Sequence, residues 1–213
     1  MIHVNKSTNP PPELESKGYS DDAVRKLLLS DQYDKCYLCE RKLHTNYQVE
    51  HLKSRKNFPA LEDDWSNLFM ACEYCNGKKL DDYDDILNPA SVHVELIISQ
   101  KYDAKSETFC FEPVGEIEDE DGRERTITLL NGLFNGNDPK MPTLKEQRFR
   151  QEFRMVYNAF QELLNDWIEH QDDAEKLKTI ESALGNEEEY LGFKYWLIES
   201  IPRLKDKLII DIK

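Results

Sequence analysis

Four of the five cysteines form two Cys-x-x-Cys pairs, Cys36-Tyr37-Leu38-Cys39 and Cys72-Glu73-Tyr74-Cys75, separated by 32 residues. Two residues between cysteines is the spacing at which thiolates on one tight turn reach a single ion. Two such turns close a tetrahedral four-thiolate site of the kind zinc occupies. A closed site has no open coordination position, so its zinc is structural and any reaction belongs to the residues it holds in place. Glu50-His51 and Asn67 lie between the pairs, and Asn76 follows the last cysteine directly. A neutral imidazole takes up a proton, and a carboxylate with a carboxamide offers hard oxygen donors to Mg2+ or Mn2+. Metal-assisted hydrolysis of a phosphodiester draws on this set of groups. On this reading His51 is the general base, and Glu50 and Asn76 hold one catalytic divalent ion. Asn67 is a poorer ligand; its amide either bonds backbone and fixes the loop presenting His51, or serves only as a helix cap.

Basic residues surround these candidates. Lys53, Arg55, Lys56, Lys78 and Lys79 are placed in sequence to hold phosphates on either side of a scissile bond, although each alone reads as an ordinary surface base. The chain carries 42 acids and 28 bases, a net charge of -14, which argues against coating nucleic acid by bulk electrostatics. Residues 31–80 contain eight acids and eight bases, so the whole excess, 34 acids against 20 bases, lies outside them. A locally cationic rim on an acidic body admits one phosphate backbone, and the acidic remainder is a docking face for a basic partner or a solvated surface.

With 213 residues, 39% hydrophobic and 10% aromatic, the chain can bury a real core. No apolar run approaches the roughly 20 residues of a membrane span, and Pro10-Pro11-Pro12 stands where a signal peptide would be apolar. A cytoplasmic location is therefore expected. In a reducing compartment the Cys-x-x-Cys pairs are metal ligands rather than disulfides, and Cys110, between two phenylalanines, is expected to be a buried strand cysteine.

The elements that must position these residues read as an α+β fold in three parts: residues 1–34 an arm and lead-in helix, 35–90 the metal-stapled module, and 91–213 a hairpin and helical region. Ser20 looks like the cap of a helix running toward Tyr33, and Tyr47-Gln48-Val49-Glu50-His51 reads as a short strand with Thr45-Asn46 as its turn. Residues 65–75 read as the beginning of a helix, with Asn67 on a loop or early turn. Beyond the module, residues 94–99 and 108–111 look like strands. Asp121-Gly122 reads as a hairpin turn leading to a further strand at 126–129. Phe149, Phe153, Val156, Phe160, Leu163, Leu164 and Trp167 recur at three and four residues and trace one helical apolar stripe, with helices over 173–184 and 187–200 after it.

The series Cys-x-x-Cys, Glu-His, Asn-Leu, Cys-x-x-Cys-Asn-x-x-Lys over about 36–79 resembles the zinc-containing HNH endonucleases. That resemblance implies a ββα-metal module with His51, Glu50, Asn67 and Asn76 in the roles above and Cys36, Cys39, Cys72 and Cys75 on structural Zn2+. Two positions depart from the family pattern. Glu50 stands where aspartate is commoner, and Ser54 replaces a proline that often follows the histidine by three residues. More loosely, Cys-Tyr-Leu-Cys-Glu-Arg, Val-Glu-His, Leu-Asn-Pro and the helical C-terminal half resemble the PtuB-type nuclease subunits of Septu and retron-associated anti-phage systems. This second likeness implies a PtuA-type ATPase as partner, and beyond it a retron reverse transcriptase with its small DNA. The chain has no Walker-type phosphate loop, so nucleotide control would come from another subunit. The alternatives are a non-catalytic zinc-knuckle binding module and a stand-alone restriction-type DNase.

Overall fold

Two helices, α1 (Glu13–Lys17) and α2 (Asp22–Asp31), lead into the first cysteine pair in the computed structural model, which describes residues 1–136, 138, 141–170 and 173–208. The cap of α2 is Asp21, one residue beyond the expected Ser20: its carboxylate accepts from the Ala23 amide, a bond that Ser20 does not make.

Strand β1 (Tyr47–His51) pairs antiparallel with β2 (Leu68–Cys72), with Glu50 opposite Phe69 and His51 opposite Leu68. Helix α3 (Glu73–Lys79) starts on the spot, because the Cys72 sulfur accepts from the Cys75 amide as its cap. The expectation that residues 65–75 begin one helix is corrected: a single 3-10 turn (Trp65–Asn67) gives way to a strand before the helix opens. Burial decides this. All five residues of β2 are buried, and a continuous apolar run of that length fits a covered strand. Its edge away from β1 is also satisfied, since the Gln32 side chain bonds both the amide and the carbonyl of Met70, and the Tyr37 amide donates to that same carbonyl.

The next elements are a short helix α4 (Val94–Ile97) and a hairpin of β3 (Ile98–Asp103) and β4 (Thr108–Pro113). Residues 94–97 are thus helical where a strand was expected. Cys110 is exposed rather than buried, because alternation along β4 sends Phe109 and Phe111 into the core and the residue between them outward. The larger correction concerns Asp121-Gly122, which lies in the first turn of helix α5 (Glu120–Asn135) and makes no hairpin; Thr126 to Leu129 is helical with it. The Asp119 carboxylate caps this helix by accepting from the Gly122 amide, and the buried Thr126, Ile127, Leu130, Leu133 and Phe134 recur at helical spacing. A local turn signal lost to tertiary burial.

Helix α6 (Leu144–Glu169) opens with a reciprocal cap between Thr143 and Glu146 and buries Phe149, Phe153, Tyr157, Phe160, Leu164 and Trp167. Helices α7 (Ala174–Ser182), α8 (Leu191–Glu199) and α9 (Pro202–Lys205) pack around its distal end. One contiguous core runs from Met1 through the cysteine pairs to Phe193, drawing on all three sequence segments. At its centre Phe153, fully buried, meets Tyr102, Phe109, Phe134, Tyr157, Tyr190 and Phe193 with ring centroids 4.7–6.2 Å apart. Phe153→Ala is expected to lower unfolding stability by about 3–5 kcal/mol, the usual cost of emptying such a site, as read from denaturant melts. Among the described residues no helix is long and apolar enough to cross a membrane.

Candidate active site

Cys36, Cys39, Cys72 and Cys75 converge on one point, their sulfur atoms all within 4.8 Å of one another and their side chains buried. Sulfurs bound to zinc at about 2.3 Å in a tetrahedron stand just under 4 Å apart, so the 4.0 Å from Cys39 Sγ to Cys72 Sγ fits that ion. Electrostatics agree with the geometry. Hydrogen bonds from Cys36, Cys39 and Cys75 hold the Cys72 thiol far below its ordinary value, while burial pushes Cys39 and Cys75 well up. A cation at the centre of the cluster would favour the thiolate form of the buried Cys39 and Cys75. The Arg41 guanidinium stands in the field of Cys39 and Cys72 and is ion-paired to Glu152 of α6 at 3.2 Å, which ties the thiolate cluster to the helical region.

Next to this cluster β1 and α3 frame an open cleft of about 450 Å³ whose walls include Gln48, Glu50, His51, Ser54, Asn76 and Leu80. His51, 7% exposed, sits at the end of β1 with its Nε2 2.9 Å from the Glu62 carbonyl and its ring edge-on to Tyr19. A carbonyl only accepts, so Nε2 carries the proton and Nδ1 keeps its lone pair. Burial lowers the His51 pKa below 6.5, which keeps the ring in the neutral, proton-accepting form at pH 7.

The loop supplying Glu62 is held by Asn67. Its Oδ1 accepts from the Lys53 amide, and its Nδ2 donates to the carbonyls of Lys53 and Leu61 at 3.0 Å each, so one buried carboxamide fastens both ends of residues 53–61. Ser54 carries a second fastening. Asp84 accepts from its amide at 2.6 Å and its hydroxyl at 2.8 Å, and also from Asn57, fixing by a fork the turn that a proline ring would otherwise stiffen. Although burial pushes the Asp84 carboxyl upward, these bonds and nearby Lys79 hold it below the usual range.

Lys6 of the N-terminal arm supports the same region, donating to the carbonyls of Trp65 and Leu68 and lying 4.3 and 4.5 Å from the ring centres of Trp65 and Phe69. Burial lowers its pKa from 10.5 to about 7, against the opposing charges of Asp31 and Asp64. Between those values the unfolded chain binds a proton that the folded chain has released, so this lysine's contribution to stability rises with pH from about 7 to 10.5. The melting temperature of wild type relative to Lys6→Met is therefore expected to climb between pH 7 and 9.5. A constant gap would remove Lys6 from that dependence.

Glu50 is 5% exposed. Its Oε2 accepts from the Tyr37 hydroxyl at 2.5 Å and its Oε1 lies 3.0 Å from the Lys79 ammonium. Burial pushes the Glu50 carboxyl up to about 7 in spite of both donors. Asn76 donates from Nδ2 to Gln48 Oε1 at 3.0 Å, leaving its own carbonyl oxygen available to a ligand in the cleft. Carboxylate, carboxamide and imidazole thus line one cleft, and the two oxygen donors among them fit a hard divalent cation such as Mg2+ or Mn2+.

The five candidate phosphate-binding bases divide. Lys53, Arg55 and Lys56 lie on the exposed loop: Lys53 over the Phe58 ring, Arg55 paired with Glu62, and Lys56 paired with Asp81. Lys79 is corrected: it is fully buried, bonded to Glu50 and the His51 carbonyl, and presents no charge to a ligand outside. Lys78 is corrected in part, since its ammonium pairs at 2.9 Å with Glu146, the capping residue of α6, and so braces α3 against that helix. Sequence reasoning missed Tyr37, Tyr19 and the Glu62 carbonyl. Only the place of Tyr37 inside the first cysteine pair gave any signal; a main-chain carbonyl gives none.

Residues 36–82 match the family model described as HNH endonuclease. The chain is 37% identical over 95 residues to Septu protein PtuB of Bacillus thuringiensis, a match covering 37% of this chain and 37% of that relative. It therefore spans well under half the length of the curated relative it matches. The β-hairpin running into a helix, the four clustered cysteines, and His51, Glu50 and Asn76 around one cleft all lie within residues 36–82, the stretch that matches the HNH endonuclease family.

Proposed function

We propose that this protein hydrolyses phosphodiester bonds of nucleic acid with one divalent metal ion, as the toxic effector of a Septu-type anti-phage system whose ATPase subunit is of the PtuA type. The observation that carries the reading is His51: a buried, neutral imidazole whose proton is committed to the Glu62 carbonyl, so that its free Nδ1 serves as a base in a cleft shared with Glu50 and Asn76. Nδ1 takes the proton from a water attacking the phosphorus. Glu50 and Asn76 would hold Mg2+ or Mn2+, an ion that would supply electrostatic stabilisation of the charge developing on the phosphate and the leaving oxygen. Asn67 keeps the Glu62 carbonyl in register with the imidazole. Arg55 and Lys56, which line the cleft, and the exposed Lys53 nearby in the loop steer the backbone, each first releasing its local partner. Zinc on the four cysteines is structural. The likeness to a Septu protein supports the defence role and the ATPase, and five unpaired thiols suit a reducing cytoplasm. Neither match names a reverse transcriptase or a small DNA.

The test is a panel of plasmid, single-stranded DNA and bulk RNA incubated with zinc-loaded protein, alone and with the co-expressed ATPase, with and without added Mg2+ or Mn2+. Cleavage that requires the added ion is expected. Silence both alone and in the assembled complex would replace the enzyme by a zinc-knuckle binding module.

A further inference from the structure

We propose that Tyr37 is a positioning residue that couples the four-cysteine site to the carboxylate of Glu50; the proposal rests on Glu50 being a ligand of the catalytic ion. Tyr37 lies between two zinc-ligand positions, Cys36 and Cys39, yet nothing in thiolate coordination calls for a tyrosine there. Its ring is 3% exposed and stacks on Phe69, the cross-strand partner of Glu50, at 4.8 Å, while its amide donates to Met70 of β2. Its hydroxyl reaches across to Glu50 Oε2 at 2.5 Å.

The opposite oxygen is held by Lys79, four residues past Cys75 at the end of the helix that the second cysteine pair opens. The carboxylate is thus gripped by one donor from each knuckle, and the knuckles keep their mutual position through the ion they share. Each carboxylate oxygen retains a lone pair for a metal after accepting one bond. Glutamate has one more rotatable bond than the aspartate common at this place, and therefore more rotamers to lose when it binds an ion. A buried hydroxyl that selects one rotamer removes that cost in advance, as residues supporting a metal ligand commonly do.

Tyr37→Phe keeps the ring and deletes only the hydroxyl. Zinc-loaded wild type, Tyr37→Phe and Glu50→Gln are to be titrated with Mn2+ and the free ion followed by electron paramagnetic resonance, with zinc content and melting temperature measured on the same samples. The expected result is one Mn2+ site in wild type, lost in Glu50→Gln and weakened at least fivefold in Tyr37→Phe, with one zinc per chain throughout. Wild-type Mn2+ affinity in Tyr37→Phe, beside loss in Glu50→Gln, overturns the coupling and leaves the ligand assignment standing. Unchanged Mn2+ binding in Glu50→Gln overturns both. Loss of zinc from Tyr37→Phe assigns the residue to knuckle stability and overturns the proposal as well.

Discussion

Replacing His51 with alanine is expected to reduce metal-dependent cleavage by about 10²–10⁴-fold, the range a positioned general base contributes, while zinc content and melting temperature stay close to wild type. The separation of effects follows from where the ring sits. Its Nε2 bonds one loop carbonyl and its edge meets Tyr19, but the hairpin is held by the β1 to β2 ladder, and the loop has its own fastening in Asn67. Deleting the imidazole leaves the Glu62 carbonyl close to solvent, where water replaces the lost bond at small cost. A kinetic measurement at saturating Mg2+ is the appropriate check. A rate within threefold of wild type would exclude His51 as the base. A rate lost together with zinc would mean that the imidazole supports the fold rather than the reaction.

The second large effect concerns the thiolate cluster. Cys75→Ser, or removal of zinc by a chelator, is expected to abolish protection of the amides of β1, β2 and α3 from hydrogen exchange. Structural zinc contributes on the order of 10–16 kcal/mol in small zinc-stapled peptides, which matches or exceeds the 5–15 kcal/mol that holds a typical domain together. Here the four sulfurs lie buried within 4.8 Å of one another on two separate turns, so an ion bound to all four would tie those turns together. The aromatic cluster around Phe153 lies on other elements and is expected to keep protection longer, so the loss should spread outward from residues 36–82. Uniform retention of protection in zinc-free protein would show that the shared core, not the metal, carries the module.

Much of this was legible in the chain. The spacing within each pair suits two sulfurs to one ion, because a two-residue turn allows few geometries, and the long stripe from Phe149 to Trp167 fixes a helix by its period. The turn signal at Asp121-Gly122 misled, since the same two residues suit the first turn of a helix, and burial of Ile127, Leu130 and Leu133 decided between the two structures. Residues 68–72 misled likewise: a short apolar run is compatible with helix or strand, and only its pairing with β1 resolved it.

The sequence by itself determined which residue types are available and that each cysteine pair can offer two sulfurs to one ion, since that depends on contacts a few residues apart; the β1 to β2 pairing brought the two pairs together. The tertiary structure decided what each polar side chain faces. Lys79, one residue from the partly exposed Lys78, points inward to Glu50 because the last turn of α3 packs over the end of β1. Tyr37 reaches Glu50, and the Glu62 carbonyl sets the tautomer of His51, because the fold closes 13 and 11 residues of chain respectively onto those points. Such contacts depend on direction as well as sequence distance, and direction is fixed only when the core is packed.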